Sequence, residues 1–113
     1  MAMSRDMSVA AATASTTQTQ NGGTVLNADF TVATVANASD AFTIPANLPK
    51  GTVFFVVGGA NAGQVFPPTG GAINGGAVNA SKPLDASVVH MYVVTASGSS
   101  STYRCNKLAA LSA

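Results

Sequence analysis

His90 is the only histidine in the chain and is the first residue to consider for catalysis. A Ser–His–Asp triad needs a serine within hydrogen-bonding reach of the imidazole and a carboxylate behind the ring. Ser87, Ser97 and Asp85 lie nearby in the sequence, but none of them stands in a nucleophile-elbow motif. We therefore interpret His90 as a strand histidine near the surface, and we expect that the chain is not an enzyme.

Other patterns that could carry chemistry are also incomplete. Cys105 is the only cysteine and has no second ligand pair near His90, so we expect neither a zinc site nor an intrachain disulfide. The glycine-rich stretch 58–63 lacks the Lys-Ser/Thr pair and the following helix of a phosphate-binding loop, and is typical of a hairpin turn. The four acidic residues are scattered and form no catalytic pair. We predict no catalytic residue, no metal site and no cofactor.

Charge is sparse, with five basic and four acidic residues and a net charge of +1. Without a basic stripe, nucleic acid binding by counterion release is not expected. No apolar run approaches the roughly 20 residues of a membrane-spanning helix, and the N-terminus lacks the apolar core of a signal peptide. We therefore expect no membrane association and synthesis in a cytoplasm. So few charges also favour a place inside a larger assembly.

Sugar binding is not expected either. Carbohydrate sites usually stack sugar rings on exposed aromatic side chains, and the chain has no tryptophan. Alternation predicts that Phe30, Phe42, Phe54 and Phe66 face inward.

The segments that would position these residues are short and extended. Residues 1–23 have neither helical periodicity nor a helix-forming composition and end in the turn 21–23, so we interpret them as an extended N-terminal arm that is either a docking arm or disordered. Residues 24–113 would form the β domain. Apolar and polar residues alternate in 25–32, which predicts a strand with Leu26, Ala28, Phe30 and Val32 on one face. Residues 52–57 are apolar on both faces, which predicts a central strand covered on both sides.

Residues 87–95 are predicted to form a long strand with two apolar faces. One face carries Val89, Met91 and Val93, and the other carries Val88, His90, Tyr92 and Val94. We select Val88, Tyr92, Val94 and Tyr103 as interface candidates, because apolar strand faces that a single chain does not need for its core suit a partner. Overall we predict an all-β chain: a single β-sandwich or small barrel of about seven short antiparallel strands, with an extended N-terminal arm.

The stretch from Ala41 to Cys105 resembles small structural proteins of tailed bacteriophages. The likeness is carried by FTIP at 42–45, KGTV at 50–53, GANAGQVFP at 59–67 and GGAINGGAVNA at 70–80. These segments are similar to a phage motif in which "GTVV", "GANAVQVFP" and "GGTINGAAANA" follow one another before a final β-hairpin. The sequence departs from that pattern at YRCN (103–106), where a Trp-Tyr ending is more usual.

The resemblance implies a β domain, commonly trimeric, bound outside the major capsid shell of a virion. We therefore expect a capsid decoration (cement) protein, made in the host cytoplasm, that binds the outside of the shell and stabilises it. Its expected partners are the major capsid protein and its own copies, as a homotrimer. The alternative is a receptor-binding or adhesin-like module of a phage fibre or tail appendage, which would use Tyr92, Tyr103 and the loop 70–80.

Overall fold

The computed structural model describes residues 8–74, 76–96, 104–107 and 111–112. Within these residues the chain forms eleven β-strands and no helix. The strands are β1 (Val9–Thr13), β2 (Thr24–Val25), β3 (Phe30–Thr34), β4 (Ala41–Thr43), β5 (Val53–Val57), β6 (Gly63–Phe66), β7 (Ala72–Ile73), β8 (Lys82–Leu84), β9 (Val88–Ala96), β10 (Arg104–Lys107) and β11 (Leu111–Ser112). The prediction of a mostly β chain is therefore confirmed.

The strands form two sheets, and the first six alternate between them. The larger sheet has the order β1-β3-β5-β9-β10-β7, with β11 also paired to β9, and the smaller sheet has the order β2-β4-β6-β8. The pairs β1·β3 and β3·β5 are parallel, as are β2·β4 and β4·β6. The chain from β1 to β6 therefore forms a stack of three successive turns. Each turn contributes one strand to the larger sheet and one strand to the smaller sheet.

The later strands add antiparallel pairs to this stack. β9 is antiparallel to both β5 and β10, and β8 is antiparallel to β6. The expected arrangement of about seven antiparallel strands is therefore replaced by two sheets of mixed pairing. Alternation of apolar residues indicates a strand, but it does not tell which neighbour the strand pairs with or in which direction.

Part of the predicted N-terminal arm is held by these sheets, because its described residues include β1 and an isolated bridge at Ser15. β1 pairs with β3 along its whole length. Ser15 and Ala41 exchange two backbone hydrogen bonds, of 2.9 and 3.0 Å. Thr43 Oγ1 donates to the carbonyl of Gln20 at 2.7 Å. These contacts join the segment to both the larger and the smaller sheet.

The predicted strand over 25–32 is divided between the two sheets. β2 ends at Val25 and β3 begins at Phe30, because residues 26–29 carry the chain across from the smaller sheet to the larger one. Since the crossing restarts the alternation, Thr31 is buried and Val32 is 43% exposed. The predicted face of β3 was therefore wrong by one residue, which reverses every side chain on it.

The hydrophobic core lies between the sheets and draws on both. Its largest side chains include Phe54, Val56, Tyr92 and Val94 from the larger sheet and Phe42, Val65 and Leu84 from the smaller one. Phe54 and Tyr92 are opposite each other on β5 and β9, and their rings stack with centroids 5.0 Å apart. The core therefore fixes which face of β9 points inward.

Candidate functional site

The central strand β5 has two apolar faces, and the described strands cover only one of them. Phe54 and Val56 point into the core between the sheets. Val53, Phe55 and Val57 alternate with them and point away from the smaller sheet. Every described strand belongs to one of the two sheets, so no described strand lies over this second face.

Strand register extends the second face across four strands of the larger sheet. Val9, Phe30, Phe55 and Met91 are aligned as one row, with the Phe30 and Phe55 ring centroids 5.4 Å apart. A second row aligns Ala11, Val32, Val57 and Val89, and Val53 lies opposite Val93. We call these ten residues the outer face: Val9, Ala11, Phe30, Val32, Val53, Phe55, Val57, Val89, Met91 and Val93.

The outer face is similar in area to the largest apolar patch of a typical soluble monomer, which is often functional. Strands about 4.8 Å apart and same-face residues about 6.6 Å apart give an area on the order of 300 Å² for ten positions. Val9 is 66% exposed and Val32 is 43% exposed, and the other large residues of the face are half-buried by one another. None of the ten side chains is charged. Apolar patches of this size on soluble chains frequently mark interaction sites.

The predicted interface residues do not lie on the outer face. Tyr92 and Val94 are fully buried in the core, so the expectation that a single chain does not need their strand face is corrected. Val88 is half-buried, and Tyr103 lies outside the described residues. The alternation along β9 was predicted correctly, but the outer face is formed by the opposite set of side chains, which are half-buried. The sequence analysis had identified Val89, Met91 and Val93 as one face of this strand. Nothing in the sequence indicates which of the two faces the smaller sheet covers.

We expected His90 to lie near the surface, because it is a histidine on a strand, and this expectation was wrong. The structure buries it completely on the inner face of β9. Its Nε2 accepts a hydrogen bond from the backbone N–H of Asp85 at 3.0 Å. The N–H of Ser87, at a φ of 60°, donates to the carbonyl of Gly59 at 2.8 Å. His90 thus positions the turn between β8 and β9, and the Asp85 group that contacts its ring is the main chain.

The described residues contain no group of three or more His, Cys, Asp or Glu side chains arranged to hold a metal ion. Nor does any helix in that part of the chain have the length and apolar character to cross a bilayer. The chain matches no protein-family model, no curated protein and no solved structure. Within the described residues, the outer face is the surface whose apolar character the fold of the single chain does not require.

Proposed function

We propose that the chain is a structural virion protein, a capsid decoration (cement) protein that binds the outside of the major capsid shell and stabilises it. The observation that carries this proposal is the outer face, an uncharged apolar surface across four strands that no described strand covers. The resemblance of residues 41–105 to phage structural proteins supports the kind of assembly. On this proposal the protein is made in the host cytoplasm and resides on the capsid exterior.

The area of the outer face limits what one copy can do. Burying about 300 Å² of apolar surface at ~25 cal/mol/Å² yields roughly 7 kcal/mol. Association costs an estimated 4–15 kcal/mol in lost freedom of motion. A single face therefore supports weak binding at best. A homotrimer, which the resemblance implies and which we include in the proposal, presents three faces at once and gains by avidity.

The proposal also includes a specific architecture, a β-sandwich with one covered and one free sheet face. It is supported by the core, to which both sheets contribute fully buried side chains, among them Val56 from the larger sheet and Phe42 and Val65 from the smaller. In a sandwich each sheet buries one face against the other. The outer face of the larger sheet is then the one available to the capsid.

Charge substitution at exposed valines tests the proposal. Val32→Lys places an ammonium group on the outer face beside Val57, where a bound shell would have to desolvate it. Val78→Lys is the matched control, since Val78 is 53% exposed and lies in a loop away from the outer face. Both variants should fold as the parent does, because exposed substitutions change stability by about 0.5 kcal/mol or less.

The measurement is the occupancy of capsids assembled without the protein and then incubated with each variant. We expect Val32→Lys to weaken binding at least tenfold, equivalent to about 1.4 kcal/mol, and Val78→Lys to bind as the parent does. Undiminished capsid binding by Val32→Lys would refute the outer face as the binding surface.

A further inference from the structure

A cavity opens along one side of the stack, and its lining shares no residue with the outer face. It lies between the β2–β3 connection, the β4–β5 connection and the starts of β1 and β5, and its volume is about 170 Å³. The lining residues are Ser8, Leu26, Asn27, Ala28, Asp29, Pro45, Leu48, Thr52 and Phe54. None of these residues carries a positive charge.

The interior of the cavity is apolar. Leu26 and Phe54 belong to the buried core, at 3% and 5% exposure, and Leu48 packs against that core. Pro45 and Ala28 complete the apolar wall. An engineered apolar cavity of about 150 Å³ binds benzene, so this volume accepts an apolar group of five or six carbons. The wall therefore selects a short hydrocarbon chain or ring.

A single carboxylate at the cavity is held in place by the start of β1. Asp29 Oδ2 accepts hydrogen bonds from the N–H of Ser8 at 3.0 Å and from its hydroxyl at 3.2 Å, and the N–H of Asp29 donates to Ser8 Oγ at 2.9 Å. Within the described residues no donor reaches the other carboxylate oxygen, Oδ1. The amide of Asn27, on the same wall, has no hydrogen-bond partner there either.

We propose that this cavity binds an alkylammonium group, with the hydrocarbon against Leu26 and Phe54 and the ammonium at Asp29 Oδ1. The ligand must supply the cation, because no lining residue does so. A carboxylate already fixed by Ser8 loses little freedom when it accepts the ligand, which favours binding. The side-chain oxygen of Asn27 is a second acceptor for an ammonium group, which carries three N–H donors.

The chemistry fits two sources, a free amine or a lysine side chain of another protein. Probes of one chain length distinguish charge from hydrophobicity: n-pentylammonium, 1-pentanol and pentanoate, added to the full chain at neutral pH. N-acetyl-lysine N-methylamide reports whether the site takes the group when a peptide carries it. Methyl resonances of Leu26 and Leu48 locate the bound probe by NMR, and titration gives the dissociation constant.

We expect n-pentylammonium to bind in the millimolar range, about threefold to fivefold more tightly than 1-pentanol, with pentanoate the weakest. Asp29→Asn should abolish the preference for the cation while keeping the pentanol affinity. Asp85→Asn is the matched control, because Asp85 is also exposed but does not line the cavity, and it should keep the preference. Leu48→Trp, which fills the cavity, should block all the probes.

Equal affinity for the cation and the alcohol would overturn the proposal, as would a preference that persists in Asp29→Asn or shifts confined to other methyl groups. If the lysine derivative binds like n-pentylammonium, the site accepts a partner's lysine. If it fails while n-pentylammonium binds, the ligand is a free amine. The outcome is independent of capsid binding through the outer face.

Discussion

Adjacent valines on β9 give the sharpest test of which strand face is the core. Val94 is fully buried in the core, whereas Val93 lies on the outer face opposite Val53. The substitutions Val94→Ala and Val93→Ala remove the same atoms from neighbouring positions of one strand. Differences in intrinsic strand propensity therefore largely cancel, and what remains is burial.

The expected magnitudes follow from that difference. Val94→Ala removes two buried carbon atoms, worth about 0.8 kcal/mol each, and leaves a cavity, so it should cost about 2–3 kcal/mol of unfolding free energy. Val93→Ala removes atoms that are already partly in contact with water, and should cost less than about 1 kcal/mol. On capsids the order should reverse, with Val93→Ala weakening the occupancy and Val94→Ala leaving it unchanged wherever the protein is folded.

Urea unfolding followed by far-ultraviolet circular dichroism is the suitable assay, because the chain has no tryptophan to report by fluorescence. The midpoints should be compared at an unchanged denaturant slope, so that the shift measures stability alone. A Val93→Ala cost equal to or greater than that of Val94→Ala would refute the assignment of faces. It would also restore the sequence-based choice of Val94 as an interface residue.

Two further substitutions test the structural roles of His90 and Gly58. His90→Leu should cost about 1–3 kcal/mol in urea unfolding, because it leaves the N–H of Asp85 without the acceptor that the ring supplies at 3.0 Å; a neutral result would mean that this contact does not hold the turn. Gly58→Ala should cost more than about 2 kcal/mol, because its Cβ would lie 2.2 Å from the Asp85 carbonyl oxygen. Gly51→Ala, at a φ of +92° with nothing within 4 Å, should cost only about 1 kcal/mol; equal thermal shifts for the two glycine variants would contradict the close packing at Gly58.

The sequence predicts the positions of the strands better than it predicts which strands pair with one another. Residues 52–57 were predicted to form a central strand covered on both sides. β5 does lie between β3 and β9, but the described strands cover only one of its faces. The alternation of 87–95 was also correct. Pairing partners were not predictable, because the local pattern of a strand is the same whether the next strand joins its own sheet or crosses to the other.

The candidate site was missed for a related physical reason. Both faces of β9 are apolar in sequence, and the face of Tyr92 and Val94 was taken as one that the core does not need, with His90 on it near the surface. The structure instead buries the ring of His90 and gives its Nε2 a hydrogen bond from a backbone N–H of the preceding turn. A buried polar group is tolerated when it is hydrogen-bonded, so a histidine does not by itself mark an exposed face.

The two-sided apolarity of β5 links the fold to the proposed function. The smaller sheet packs only against the inner face of the larger sheet, where Phe54 and Val56 fill the core together with Tyr92. Val53, Phe55 and Val57 then add nothing to that core, yet neighbouring strands continue the same apolar character as far as Val9 at the sheet edge. A solitary soluble chain gains solubility from polar residues at such positions. Thr13, Thr34 and Thr95 continue this sheet face with polar side chains, but the ten positions between them carry none. A partner that covers these ten positions would explain their apolar character, and Val32→Lys is a single substitution that should prevent its binding.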